Sequence, residues 1–411
     1  MKKIIVLLVC VLFLCTGCTN TASKPVEEGM KDGTFYGVGD GRNGAITVAV
    51  TTEGGALKAI KVLSSNETKN TGSVPVELYP ELMVQGQTVN VDNVTGATIS
   101  SMAVKNAVKE AITNAGGNVD AFSAKYSIEM TAEDCETDIV VIGAGGAGMT
   151  AAISAAQKGA SVILLEKLGI VGGTSNYSVE ALGSVGDKTH VGLGSDIDAE
   201  TLAGNLTKSN PKGTAEAFEV LANNNGKMAD WLRSIGAPLT VSGGQTSVAS
   251  SREVGYLGNT IVTALTKECE KVGVDTRINS KATEIISENG VIKGVKVSNS
   301  AGEYTISCKA VVIATGGFGA NNDMVAEGYP SLKGYNSSCS VGNTGDGQLM
   351  AKELGAELKD MDYIRVNFTY TTNPENSYYY YMGSLFNTGA IFVNNDGVRF
   401  VNDQGAYGVG L

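Results

Sequence analysis

One run of the chain leaves little freedom for its fold: TDIVVIGAGGAGMTAAISAAQKGASVILLEK, from Thr137 to Lys167. Ile139–Ile142 is a short, β-branched apolar run, too short for a buried helix, and reads as a strand. Gly143, Gly145 and Gly148, with Gly146 between them, spell G-x-G-x-x-G at the turn that follows. Ala151, Ala152, Ile153, Ala155 and Ala156 then give a helix small enough on one face to lie close on a sheet. Val162–Leu165 is a second apolar strand, closed by Glu166, 18 residues after Gly148, and by Lys167. The first glycine makes the tight turn, the second admits a pyrophosphate to the backbone, and the third lets helix and strand touch. The helix N-terminus faces the phosphate and the acid takes a ribose hydroxyl. On these residues FAD and NAD stand equal.

The chain has 411 residues, enough for two or three domains, and its net charge of −11 without Lys/Arg runs argues against a nucleic-acid partner. His190 is the single histidine, which nearly excludes histidine-built metal sites and catalytic triads, so no metal is expected. The scattered Cys135, Cys269, Cys308 and Cys339 imply neither a disulfide framework nor a metal site. At the N-terminus Lys2 and Lys3 precede an apolar run, Ile4 to Leu14, and then Cys15-Thr16-Gly17-Cys18. This is the layout of an export signal, and the run is too short to span a bilayer. It resembles the bacterial lipoprotein signal, with residues 1–18 as signal and Cys18 as the lipidated residue. A plain secretory signal with two incidental cysteines is the alternative. Residues 19–30 are a polar tether. The expected location is the cell membrane, lipid-anchored on the extracytoplasmic face.

Residues 31–115 form the next unit. Alternating runs around Glu53-Gly54-Gly55 predict a β-hairpin, and Met102, Val104, Ala107, Val108, Ala111 and Ile112 give helical spacing, with Ser100 or Ser101 as cap. Before that helix stands Asp92-Asn93-Val94-Thr95-Gly96-Ala97-Thr98. It resembles the Asp-x-x-[Ser/Thr]-Gly-Ala-Thr motif of FMN-binding domains that carry covalent FMN. The resemblance implies that a flavin transferase joins FMN phosphate to Thr98, with Thr95, Gly96 and Ala97 forming the turn. Gly96 and Ala97 leave the Thr98 hydroxyl unobstructed, and the helix N-terminus favours phosphate charge.

Residues 116–136 are polar and read as a linker, and residues 137–361 as the dinucleotide fold. Further glycine-rich clusters follow at Gly172-Gly173-Thr174-Ser175, at Ala314-Thr315-Gly316-Gly317, and at Thr344-Gly345-Asp346-Gly347. Together with the first cluster they resemble the FAD domain of the fumarate reductase and succinate dehydrogenase flavoprotein family, in particular its exported fumarate and urocanate reductases. The resemblance implies non-covalent FAD and an α/β fold: a Rossmann-like FAD-binding domain, a small α+β FMN-binding domain, and the start of a capping domain.

Residues 362–411 align with the start of that family's substrate clamp, at Gly389-Ala390-Ile391-Phe392-Val393-Asn394 and Gly397-Val398-Arg399-Phe400-Val401-Asn402-Asp403. The functional positions depart. Asn367 stands where the family has its substrate histidine, Phe386 and Gly383 where it has an arginine and a glutamate, and Tyr407 where it has the proton-donating arginine. A dicarboxylate would then be poorly compensated, so fumarate is disfavoured. Arg365 and Arg399 are expected to hold one carboxylate and Tyr407 to donate the proton. Aromatics crowd this segment, and the Tyr378–Tyr381 run suits the wall of a pocket for a heteroaromatic enoate. The family continues beyond this clamp, so the expectation divides. Either this chain belongs to a membrane-tethered reductase of small unsaturated carboxylates, fed by a membrane-side electron donor, or it is an electron-transfer module without turnover.

Overall fold

Apolar alternation in the first hundred residues resolves into a three-stranded antiparallel sheet in the computed structural model. Its strands are β1 (Gly33–Gly41), β2 (Gly44–Glu53) and β3 (Ala56–Ser64), in that order. The structure describes residues 29–69, 71–127, 130–178, 198–209, 213–242, 245–248, 257–335, 337–364, 366, 369–370, 380–381, 391 and 393–399. The β2–β3 hairpin turns where expected, with Glu53 paired to Ala56. Two helices follow, α1 (Ser73–Gly86) and α2 (Thr98–Asn114). The small face Ala103, Ala107 and Ala111 is fully buried and lets α2 lie close on β1. Ile46, Val48 and Val50 from β2 complete this core with Tyr79, Met83 and Ile112.

The capping expectation needs correction. α2 begins at Thr98, so Ser100 and Ser101 lie inside its first turn, and Ala97 at the N-cap offers no side-chain acceptor. Both hydroxyls are engaged elsewhere: Ser100 donates to Glu67 at 2.5 Å, and Ser101 accepts the Val94 N–H at 3.2 Å. The first amides of α2 are left without a side-chain cap. The stretch expected as linker carries structure. A 3-10 turn at Val119–Phe122 buries Phe122 completely in the first core. β4 (Cys135–Glu136) then joins the second unit.

That unit runs β5 (Ile139–Ile142), α3 (Gly146–Ala156), β6 (Val162–Leu165), α4 (Ala199–Ser209), α5 (Ala215–Ser234), the hairpin β7 (Leu239–Ser242) and β8 (Gln245–Val248), α6 (Leu257–Lys271) and β9 (Asp275–Arg277). Then come β10 (Lys281–Glu288), β11 (Val291–Asn299), β12 (Gly302–Ser307), β13 (Ala310–Ile313), α7 (Asn322–Gly328), α8 (Asp346–Glu353), β14 (Thr369–Tyr370) and β15 (Tyr380–Tyr381). The parallel sheet has order β13-β5-β6-β9, and a second sheet has order β10-β11-β12-β4. Successive side chains of β5 and β6 find apolar partners on both faces, which is why these strands read as unbroken hydrophobic runs. Val141 and Leu164 pack with Met149 and Ile153 of α3 and Val262 and Leu265 of α6. Val140, Ile142, Ile163 and Leu165 pack with Ile285, Val295, Val297 and Ile306 of the second sheet. The β5–α3 turn is thereby clamped between two cores.

Candidate functional site

At the β5–α3 turn the chain approaches itself closely. A side-chain carbon on Gly148 would lie 1.8 Å from the Gly143 carbonyl oxygen, and one on Gly143 would lie 2.5 Å from the Ala314 carbonyl oxygen. At Gly145 the same carbon would meet nothing nearer than 3.9 Å. Gly143 and Gly148 thus serve packing, while Gly145 leaves room for a ligand at the N-terminus of α3.

A groove opens there. From the first cluster it is lined by Gly143, Gly145 and Gly146, and from the β6 end by Glu166 and Lys167. The second cluster adds Gly173, Thr174 and Ser175, the third Ala314, Thr315 and Gly316, and α8 adds Asp346. Gly148, Gly172, Gly317, Thr344, Gly345 and Gly347 stand behind this lining. Gly172 donates its N–H to the Ala144 carbonyl at 2.7 Å, and Gly345 donates to the Gly317 carbonyl at 3.3 Å. A carbon on Gly347 would strike Thr315 Oγ1. Four clusters separated by up to two hundred positions therefore converge on one groove. Sequence reasoning missed Ser280 and Lys281, at the start of β10, and Ser340 and Met350 around α8, which also line it. No local motif marks them, because tertiary packing alone brings β10 and α8 to the β6 end.

Glu166 is buried. Its carboxylate accepts the Ala144 N–H at 3.1 Å and the Leu168 N–H at 2.9 Å. Burial pushes its pKa up, against those two amides and Lys167. A carboxylate has lone pairs beyond these two bonds, so it can also accept a ribose hydroxyl. The sign of its pH effect follows. A carboxyl whose folded pKa is raised contributes stability that is fully present below its unfolded pKa and lost as pH rises through the folded value. As pH rises above the ordinary carboxyl value of about 4.3, the unliganded wild type is expected to lose stability relative to Glu166→Gln. Urea midpoints of both chains across that rise check this; a gap independent of pH would contradict it.

Lys167 donates to Thr344 Oγ1 at 2.5 Å and to Asp346 at 3.0 Å, and Lys281 lies 3.5 Å from the same Asp346 carboxylate. Burial opposes the Asp346 charge, but Lys167, Thr344 and Lys281 together hold its carboxyl below the usual range. Lys167 and Lys281 here stand against Asp346 and the buried Glu166, so the pull on an anion comes from the α3 amides beside them. Glycine-limited backbone, helix-end amides and a ribose acceptor fit the adenosine diphosphate portion of FAD.

The second site is the turn before α2. Thr95 and Thr98 are exposed, Gly96 is half-buried and Ala97 is buried. The Tyr79 hydroxyl donates to the Asp92 carbonyl at 2.6 Å and accepts the Val94 N–H at 3.1 Å. Lys105 is buried and donates to Asn93 Oδ1 at 2.5 Å. Burial lowers the Lys105 pKa, with Asp92 opposing. Sequence reading missed this cation, which lies seven residues after Thr98, on the same side of α2. The exposed hydroxyl and the uncapped amides of α2 suit a phosphodiester on Thr98.

Arg399 is exposed on a short turn closed by a bridge to Val393 and is not among the residues that line the groove. Arg365, Tyr407, Asn367, Gly383, Phe386, Tyr378 and Tyr379 lie outside the described residues, as does Cys18.

Residues 138–409 match the FAD binding domain family, and residues 41–113 match the FMN-binding domain family. The chain is 33% identical over 402 residues to a urocanate reductase of Eggerthella lenta, covering 94% of this chain and 66% of that protein. It is 33% identical to a fumarate reductase (cytochrome) of Shewanella frigidimarina over 65% of this chain and 48% of that one. Its structure resembles the open conformation of a flavocytochrome c3 fumarate reductase with TM-score 0.60 at 31% identity, covering 66% of this chain and 49% of that chain. This chain therefore spans between about half and two thirds of the length of these relatives.

Proposed function

Because the chain belongs to the FAD binding domain family and carries an FMN-binding domain ahead of that fold, we propose that it serves an exported flavoenzyme reducing an activated C=C bond in a small unsaturated carboxylate. The carrying observation is the pair of sites in one chain: a groove suited to FAD and a turn presenting the Thr98 hydroxyl. The urocanate and fumarate reductases among its relatives support the reaction class. When bound, the two flavins supply the electron and hydride chemistry.

The chain's residues do the remainder. A flavin transferase places FMN on Thr98, where the α2 amides hold the phosphate. The α3 N-terminus, Glu166 and the Lys167–Asp346 pair hold FAD. Arg365 and Arg399 hold the substrate carboxylate, and Tyr407 protonates the carbon next to it. Cys18 carries the lipid that keeps the protein on the outer face of the cell membrane, within reach of a membrane-side electron donor. With Asn367, Gly383, Phe386 and Tyr407 at the substrate positions, a monocarboxylate such as a urocanate-like enoate suits the site better than fumarate.

A panel of enoates assayed with a reduced viologen as donor tests the reading. Flavin-dependent turnover is expected for at least one heteroaromatic or aromatic enoate, at a rate above that for fumarate. No turnover across the panel by protein loaded with both flavins would leave the second reading, an electron-transfer module. For the anchor, labelled fatty acid is expected to appear in the wild type and not in Cys18→Ser; equal labelling would remove Cys18 from the proposal.

A further inference from the structure

The segment from Leu168 to Tyr177 is packed on two sides that belong to different domains. On one side Thr174 and Ser175 line the groove. On the other, Ile170 is buried within the core of the FMN-binding domain, in one cluster with Val94 and Ala97 of the attachment turn. Gly96, at φ +92°, approaches so closely that a side-chain carbon there would lie 3.0 Å from Ile170 Cδ1 and 3.6 Å from the Tyr177 hydroxyl. The same construction on Gly169 meets Val94 at 3.8 Å. One hydrogen bond extends this contact between the domains, and a second ties α6 to the end of the segment. Asn259 at the start of α6 donates to the Lys69 carbonyl at 3.2 Å, and Gly258 donates to the Ser178 carbonyl at 3.0 Å. The segment is also tied to the phosphate turn, because Gly172 donates to Ala144 and Ser175 Oγ accepts from Gly146 at 3.2 Å.

We propose that residues 168–177 are a two-sided coupler: FAD in the groove and the attachment turn on Ile170 and Tyr177 each stabilise the same arrangement of this segment. Close-packed apolar contacts cannot rearrange on one side without loss on the other. Binding that favours one arrangement must then favour the other partner by an equal factor. Gly96 lies two residues from Thr98, and Tyr177 two from Ser175, with consecutive Cα atoms about 3.8 Å apart. The seat therefore keeps the proposed flavin-bearing threonine within a few residues of the groove wall. The consequence for FMN rests on the reading of Thr98 above, whereas the coupling itself does not.

Amide hydrogen exchange of the full chain, followed over residues 94–101, tests this. Added FAD is expected to slow exchange there about tenfold, within the usual range of such couplings. In Ile170→Asp that slowing is expected to vanish, while FAD titrated by flavin fluorescence still binds, weaker by the same factor. Ile170→Ala, which keeps the segment apolar and foldable, should give an intermediate result. Equal slowing in wild type and Ile170→Ala, or FAD binding without any slowing, would overturn the coupler. Should the chain bind no FAD, the proposed FAD site fails separately. The seat is then judged by exchange without ligand, which must be faster in both Ile170 variants for it to stand.

Discussion

Thr98→Ala is expected to remove all protein-bound flavin from the chain while leaving acid-released FAD at its wild-type level. Thr98 is the first residue of α2, exposed, and preceded by a turn held through the Tyr79 hydroxyl and the Lys105–Asn93 bond. Removing one exposed hydroxyl costs the fold little, because alanine is favoured within a helix and no hydrogen bond among the described residues uses that group. The effect is therefore all-or-none on attachment and near zero on stability. Thr98→Ser, which keeps a hydroxyl in the same place, is expected to restore attachment in part. Flavin that stays with denatured Thr98→Ala protein would move the attachment point elsewhere.

Gly148→Val should have the opposite pattern, sparing bound FMN and abolishing FAD. Its first side-chain carbon would sit 1.8 Å from the Gly143 carbonyl oxygen and 3.3 Å from the Ala314 side chain. Both contacts are to elements clamped between two cores, so the turn has nowhere to move. Overpacking of this kind costs about 1–3 kcal/mol or more. Each kcal/mol lowers the melting midpoint of a domain this size by about 2–4 °C. The larger effect is local, since displacing the α3 N-terminus removes the amides that face the pyrophosphate. FAD retained after gel filtration is expected to fall at least tenfold, an affinity loss of about 1.4 kcal/mol. Unchanged FAD content would show that the turn is not the phosphate site.

Local chemistry made part of this fold legible. Ile139–Ile142, the glycines after it and Val162–Leu165 each carry their own signal in period, size or turn geometry, and the structure places all three as expected. The four glycine clusters were recognisable one at a time, and their convergence follows from strand ends meeting at one edge of the parallel sheet. The cap at Ser100 or Ser101 was misread because the helix start is set by the Val94–Ala97 turn, which closes through an Ala97 N–H to Val94 carbonyl bond of 2.9 Å. Propensity at the serines has no bearing on that. Lys281 and Lys105 were illegible for another reason. A lysine on a strand or helix looks like solvated surface until the fold brings Asp346 or Asn93 to it. Ile170 reads as an ordinary apolar residue, and only the second domain packed over it gives it a role.

The central claim is that one chain carries two flavins by two different kinds of attachment. Flavin content of the chain, produced together with a flavin transferase and precipitated with acid, tests it most directly. The account predicts FMN remaining with the pellet and FAD released to the supernatant, one of each per chain. Protein-bound FMN with no released FAD, in a chain that folds, would contradict it.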